Sequence, residues 1–143
     1  MSEILIRYFH FIGIITLSCT LVAQNILIKP QLDGPTLKKI GRFDAIYGIA
    51  AVVTLVAGML LWLSVGKPKE FYTSNPLFHI KVTLFIIVAL LSAAPTIFFF
   101  KHRRNPPTSL SVPKHIRILK HSEMLFLIIL PLLAVFIAKG IGI

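Results

Sequence analysis

The sequence predicts an all-α integral membrane protein, a four-helix up-down antiparallel bundle. Three observations predict it. Of 143 residues, 56% are hydrophobic and only 14% charged, with a mean hydropathy of +0.85. A soluble domain carries about 25% charged residues and could not hide this much apolar surface. Four apolar runs each reach the roughly 20 residues that a membrane crossing needs. The connections between them are short, which favours antiparallel neighbours. A soluble enzyme, a disordered tail and a fibrous protein are excluded at this step.

The first run covers residues 4–28. It outlasts the h-region of a signal peptide and no A-x-A site follows, so it reads as a span. Cys19, the single cysteine, reads as a small buried side chain. The second run covers residues 43–65, after a stretch in which Pro30, Asp33-Gly34 and Pro35 read as turns. The third covers residues 76–100, with Asn75 as N-cap and Pro76 at the first helical position. The fourth covers residues 116–138, after a basic loop in which Asn105-Pro106-Pro107 breaks any helix. Pro95 and Pro131 lie inside spans and bend them, with Ser92 and Thr96 placed to satisfy the first bend. No internal repeat is visible, and residues 1–143 read as a single membrane domain.

Lys and Arg outnumber Asp and Glu by 15 to 5, a formal net charge of +10. In so apolar a chain this excess reads as basic cytoplasmic loops facing anionic lipid rather than a nucleic-acid site. Ten of the bases flank the first and third loops and five lie on the other side. Positive-inside counting therefore places both termini and the 62–76 loop outside. Tyr8, Trp62, Phe71 and Tyr72 form an outer aromatic belt on this reading, and Phe43, Tyr47 and Phe98 to Phe100 an inner one.

Ionisable groups in hydrocarbon are costly, which makes each a functional candidate. Helical spacing sorts them onto four inward stripes: His10, Gly13, Leu17, Thr20 and Gln24; Asp44, Ala51, Gly58 and Trp62; Lys81, Val88, Ser92, Pro95 and Phe99; Glu123, Leu127, Leu130, Ala134 and Ile137. His10, Gly58, Met59, Trp62 and Lys81 gather at one depth. Gln24, Arg42, Asp44, His102, His121 and Glu123 gather at the other.

A neutral imidazole at His10 suits a haem or another metal; the plain alternative is an interfacial histidine bonded to a neighbour. Gly13 and Gly58 would give a haem room. The second ligand would be His79, Met59 or none, and His79 lies about 200° around the helix from Lys81. Lys81 either snorkels or supplies a cation or a proton-handling amine. Asp44 or Glu123 pairs with Arg42 or Lys120 in a structural ion pair. Hydrolase, kinase, thiolate-zinc and covalent-haem motifs are missing.

The run Tyr8-Phe9-His10-Phe11, then Gly41-Arg42-Phe43-Asp44-Ala45-Ile46-Tyr47-Gly48, Asn75-Pro76-Leu77-Phe78-His79-Ile80-Lys81 and Leu90-Leu91-Ser92-Ala93-Ala94-Pro95-Thr96 resembles a bacterial family catalogued as domain of unknown function 2214. The resemblance implies a four-helix protein of the bacterial inner membrane and supplies no function. An early His and a His-x-Lys opening the third helix are more distantly similar to the haem-b protoporphyrinogen oxidase family and to the copper-resistance D membrane proteins. That similarity implies haem b on His10, with His79 as second ligand. Lys81 or Arg7 would hold propionates. It further implies an oxidoreductase acting on a porphyrin or a quinone. The competing reading is a non-enzymatic protein: a small-solute or ion transporter, homo-oligomeric where four helices are too thin, or an accessory subunit.

Overall fold

The computed structural model describes residues 2–65, 69–103 and 109–141. Four long helices dominate it, each long and apolar enough to cross a membrane, with mean hydropathies of 1.7 to 2.4. A helix satisfies its own backbone hydrogen bonds, which is why an apolar chain in lipid takes this form.

Helix α1 (Ser2–Leu27) opens with Glu3 in its first turn, paired to Arg7 at 2.7 Å on the exposed face. It stops just before Lys29-Pro30, where proline disfavours helical backbone in the residue ahead of it. Strand β1 (Gln31–Asp33) follows, then helix α2 (Gly34–Leu60), which runs on as a π-helical turn over Leu61–Val65. A short helix α3 (Lys69–Thr73) leads to α4 (Pro76–Arg103). Asn75 caps α4 as the sequence indicates, its Oδ1 accepting from the Leu77 amide at 2.9 Å. Its Nδ2 reaches the Ile141 carbonyl at 3.1 Å and ties this corner to the C-terminal end. Strand β2 (Ser109–Ser111) precedes α5 (Lys114–Ala138). Helix α5 ends on Gly140, whose φ of 76° lets the Gly140 and Ile141 amides turn back to the Ile137 and Phe136 carbonyls, both at 3.0 Å.

Helix α1 packs on α2 and α4 on α5, and the two hairpins meet along α2–α4 and α1–α5. The order is the up-down ring expected of short loops. Its outer surface is largely apolar, with Ile15, Ile26, Ile49, Leu90, Ile97 and Ile128 among the most exposed side chains. Cys19 belongs to that exposed surface rather than to the core.

The structure departs from the sequence-based expectation in three places. Helix α2 starts at Gly34, well before residue 43, with Pro35 in its first turn. The basic loops contribute an antiparallel ribbon, with Gln31 opposite Ser111 and Asp33 opposite Ser109. Tyr47 and Phe99 lie in the core rather than in an aromatic belt. An apolar core at the ribbon end of the bundle, built from Ile28, Leu32, Leu37, Ile40, Phe99, Val112 and Ile116, accounts for the first two and for Phe99, whereas Tyr47 packs with Leu17, Leu21 and Ala50. The former core draws the early turns of α2 into helix and pins the ribbon under the bundle. The Asn105-Pro106-Pro107 break lies outside the described residues. Pro95 and Pro131 are carried inside α4 and α5. Ser92 bonds the Ala89 carbonyl at 2.7 Å, not the Leu91 carbonyl that Pro95 leaves without its amide partner.

Candidate functional site

The inward stripes of α1, α2 and α5 converge on one buried polar cluster. Gln24 comes from α1, Asp44 and Tyr47 from α2, and Lys120 and Glu123 from α5. Gln24, Lys120 and Glu123 are 0% exposed, Tyr47 3% and Asp44 5%. Helical spacing explains the convergence, since Asp44 and Tyr47, and likewise Lys120 and Glu123, are three apart and share a face.

Lys120 Nζ sits between the two carboxylates, 3.2 Å from Asp44 Oδ1 and 3.5 Å from Glu123 Oε2. It also lies 4.7 Å from the centre of the Tyr47 ring. The Tyr47 hydroxyl donates to Glu123 Oε1 at 3.0 Å, and Gln24 Nε2 donates to Asp44 Oδ1 at 3.4 Å. The donors then run out. Among the described residues, Gln24 Oε1 and Glu123 Oε2 are buried without a hydrogen-bond donor. Leaving a buried acceptor unmet costs about 1–3 kcal/mol. The charge is uneven as well, because one ammonium faces two carboxylates, and charge in an apolar medium is expensive unless balanced.

The ion pair expected of Asp44 and Glu123 therefore forms with Lys120. Arg42, two residues from Asp44, points out to the exposed side. His121, also exposed, donates to Asn25 Oδ1 at 2.7 Å, and His102 to the Phe98 carbonyl at 2.8 Å. Tyr47 is the member that sequence reasoning misses. Its i+3 spacing from Asp44 was the available signal, and aromatic-belt logic overrode it.

At the far end of the bundle, His10 is half-buried and donates from Nδ1 to the Thr54 carbonyl at 3.0 Å. Lys81 and Arg7 lie within electrostatic range of it. Lys81 makes no hydrogen bond or ion pair among the described residues. The room at Gly58 is taken by His10 itself, since a Cβ there would stand 3.1 Å from His10 Cε1. Met59 is 46% exposed and faces outward. His79 is exposed and donates to the Thr73 carbonyl at 2.7 Å. Arg7 is engaged with Glu3. No group of three or more His, Cys, Asp and Glu side chains gathers around one point among the described residues.

The family model described as predicted membrane protein (DUF2214) matches residues 2–142. The chain belongs to this family. No curated protein and no solved structure matches it. As a DUF2214 protein it is a multi-pass membrane protein with four candidate spans, and its polar cluster lies inside three of them.

Proposed function

We propose that this DUF2214 protein is a non-enzymatic membrane protein that takes up and releases a proton at Asp44, Lys120 and Glu123, as an ion-handling protein does. The observation that carries the reading is the single lysine shared by two buried carboxylates, one of which, Glu123, keeps an oxygen with no hydrogen bond and only the Lys120 ammonium near it, at 3.5 Å. A proton on Glu123 removes both deficits. It cancels the surplus negative charge and relieves Glu123 Oε2 of the need for a donor that the cluster does not supply. Intramembrane carboxylates of this kind mark proton relays. The groups that face Glu123 are Lys120 on its own helix and Asp44 and Tyr47 on α2. Gln24 is contributed by α1, and α4 offers Val88 and Ser92 on its inward side, neither of which titrates near neutrality.

The test is infrared difference spectroscopy of the purified protein between acidic and alkaline buffer. A carboxylic-acid carbonyl band that vanishes on raising the pH is expected, and it should be lost in Glu123→Gln and shifted in Glu123→Asp. A spectrum with no such band, or with one indifferent to both substitutions, overturns the reading. The ten-to-five count of bases supports an orientation with both termini outside and the ribbon against the anionic leaflet, and the family resemblance supports the bacterial inner membrane.

One observation favours a second reading, haem b on His10. Its Nδ1–H is fixed on the Thr54 carbonyl, so Nε2 keeps its lone pair, the arrangement of a metal-ligating histidine. His79 and Met59 do not fit as second ligands, and Gly58 leaves no gap, so the fit rests on His10 alone. A Soret band lost in His10→Ala would support this reading, and a colourless protein from a haem-replete host would refute it.

A further inference from the structure

A groove of about 570 Å³ opens between α2 and α4 on the bundle's outer face. That volume falls in the range of small-molecule pockets, roughly 300–1,000 Å³. Its walls are apolar and rich in aromatic rings, with Phe85, Phe99 and Phe100 on the α4 side. On the α2 side Gly48 keeps it wide, since a Cβ placed there meets nothing within 4 Å. The same groove is lined by Asp44 and Tyr47. A lipid-facing apolar cleft therefore leads to a carboxylate that belongs to an under-neutralised cluster. The opposite approach, from the ribbon side, is filled by the buried Leu37, Ile40 and Phe99 core.

We infer that the groove binds a lipophilic organic cation, which enters from the bilayer and supplies at Asp44 the positive charge the cluster lacks. Three features select that chemistry. The walls favour an apolar body, the rings favour a cation over a neutral molecule or an anion, and Asp44 is the acidic end. The inference rests on the proton reading above, because the cation and the proton compete for the same negative charge. Binding of one monovalent cation to the protonated cluster releases one proton, and charge and protons balance in that exchange. Lys120 lies within reach of both carboxylates and can follow the charge toward Glu123 as Asp44 engages the cation.

The experiment uses the full chain in detergent micelles and tetraphenylphosphonium as probe. Calorimetric titration gives affinity, and a pH dye in weak buffer counts protons. Saturable binding that releases about one proton and weakens as the pH falls is expected. Asp44→Asn should weaken it by roughly tenfold or more. Gly48→Leu, which narrows the groove one turn from Asp44 and removes no side chain of the cluster, should do the same while keeping the infrared carboxyl band. No saturable binding, binding without proton release, or unchanged affinity in Gly48→Leu overturns the inference. If the carboxyl band is present while the probe fails to bind, the cation site is refuted and the proton reading stands. If the band itself is missing, both fall.

Discussion

Gly13 of α1 lies directly against α2, and replacing it with Ala isolates the contribution of that contact. A Cβ at Gly13 meets the Thr54 Oγ1, and also the Thr54 amide nitrogen at 3.2 Å and the Ala50 carbonyl oxygen at 3.4 Å. Two of these three are backbone atoms and cannot swing aside. The hydroxyl is held as well, donating to the Ala50 carbonyl at 2.7 Å. The helices must therefore part, and overpacking of that kind costs about 1–3 kcal/mol. Ala also gains about 0.8–1 kcal/mol over Gly in a helix. Gly48→Ala receives that gain with nothing in its way. The difference between the two variants cancels the helix term and leaves the packing term, about 1–3 kcal/mol with Gly13→Ala the weaker. Gly58→Ala falls between them, because its neighbour at 3.1 Å is the ring of His10, which yields by a few tenths of an ångström. The assay is unfolding in mixed micelles on titration with dodecyl sulfate, read by the fluorescence of the single tryptophan, Trp62. If Gly13→Ala is as stable as Gly48→Ala, the close approach of the two helices is wrong.

Two further outcomes follow from the same geometry. Lys120→Met strands Asp44 and Glu123 without a cation and should cost about 3–5 kcal/mol in that unfolding assay, while adding Asp44→Asn and Glu123→Gln should restore most of the loss; a single variant as stable as the parent contradicts the buried pairing. In the ribbon, the Thr36 hydroxyl beside the Asp33 carboxylate holds its pKa below the usual value. A carboxylate depressed in this way stabilises the fold above its unfolded pKa, and the contribution is lost as pH falls through the folded value. Thr36→Val should move the Asp33 titration, followed by NMR, up toward the ordinary carboxylate range, and an unmoved titration refutes the contact.

The sequence made the bundle legible because the bilayer imposes one rule on every span. Gly13, Leu17, Thr20 and Gln24 could be placed inward from spacing alone, and all four are buried. On α2 the expected stripe holds at Asp44 and runs one position off beyond it. The buried line of the helix runs through Asp44, Tyr47, Ala50, Thr54, Ala57 and Leu61, whereas small size had favoured Ala51 and Gly58. The reason is physical. In lipid a small residue signals close approach, yet Tyr47 can turn inward because Glu123 accepts from its hydroxyl, and that partner lies 76 residues away. The ribbon was hidden for a similar reason. Each strand has only three residues, and their pairing depends on two distant loops meeting over an apolar core that neither loop reveals by itself. The partner of Asp44 was open between Arg42 and Lys120, and only the assembled helices decide between them.

The cluster also divides between the two halves of the molecule. Gln24, Asp44 and Tyr47 belong to the leading hairpin, Lys120 and Glu123 to the last helix. Neither hairpin can neutralise Asp44 without the other, because its counter-ion lies 76 residues away. The ammonium of Lys120 latches the two halves together inside the bundle, and the ribbon, one strand from each half, ties them at its end.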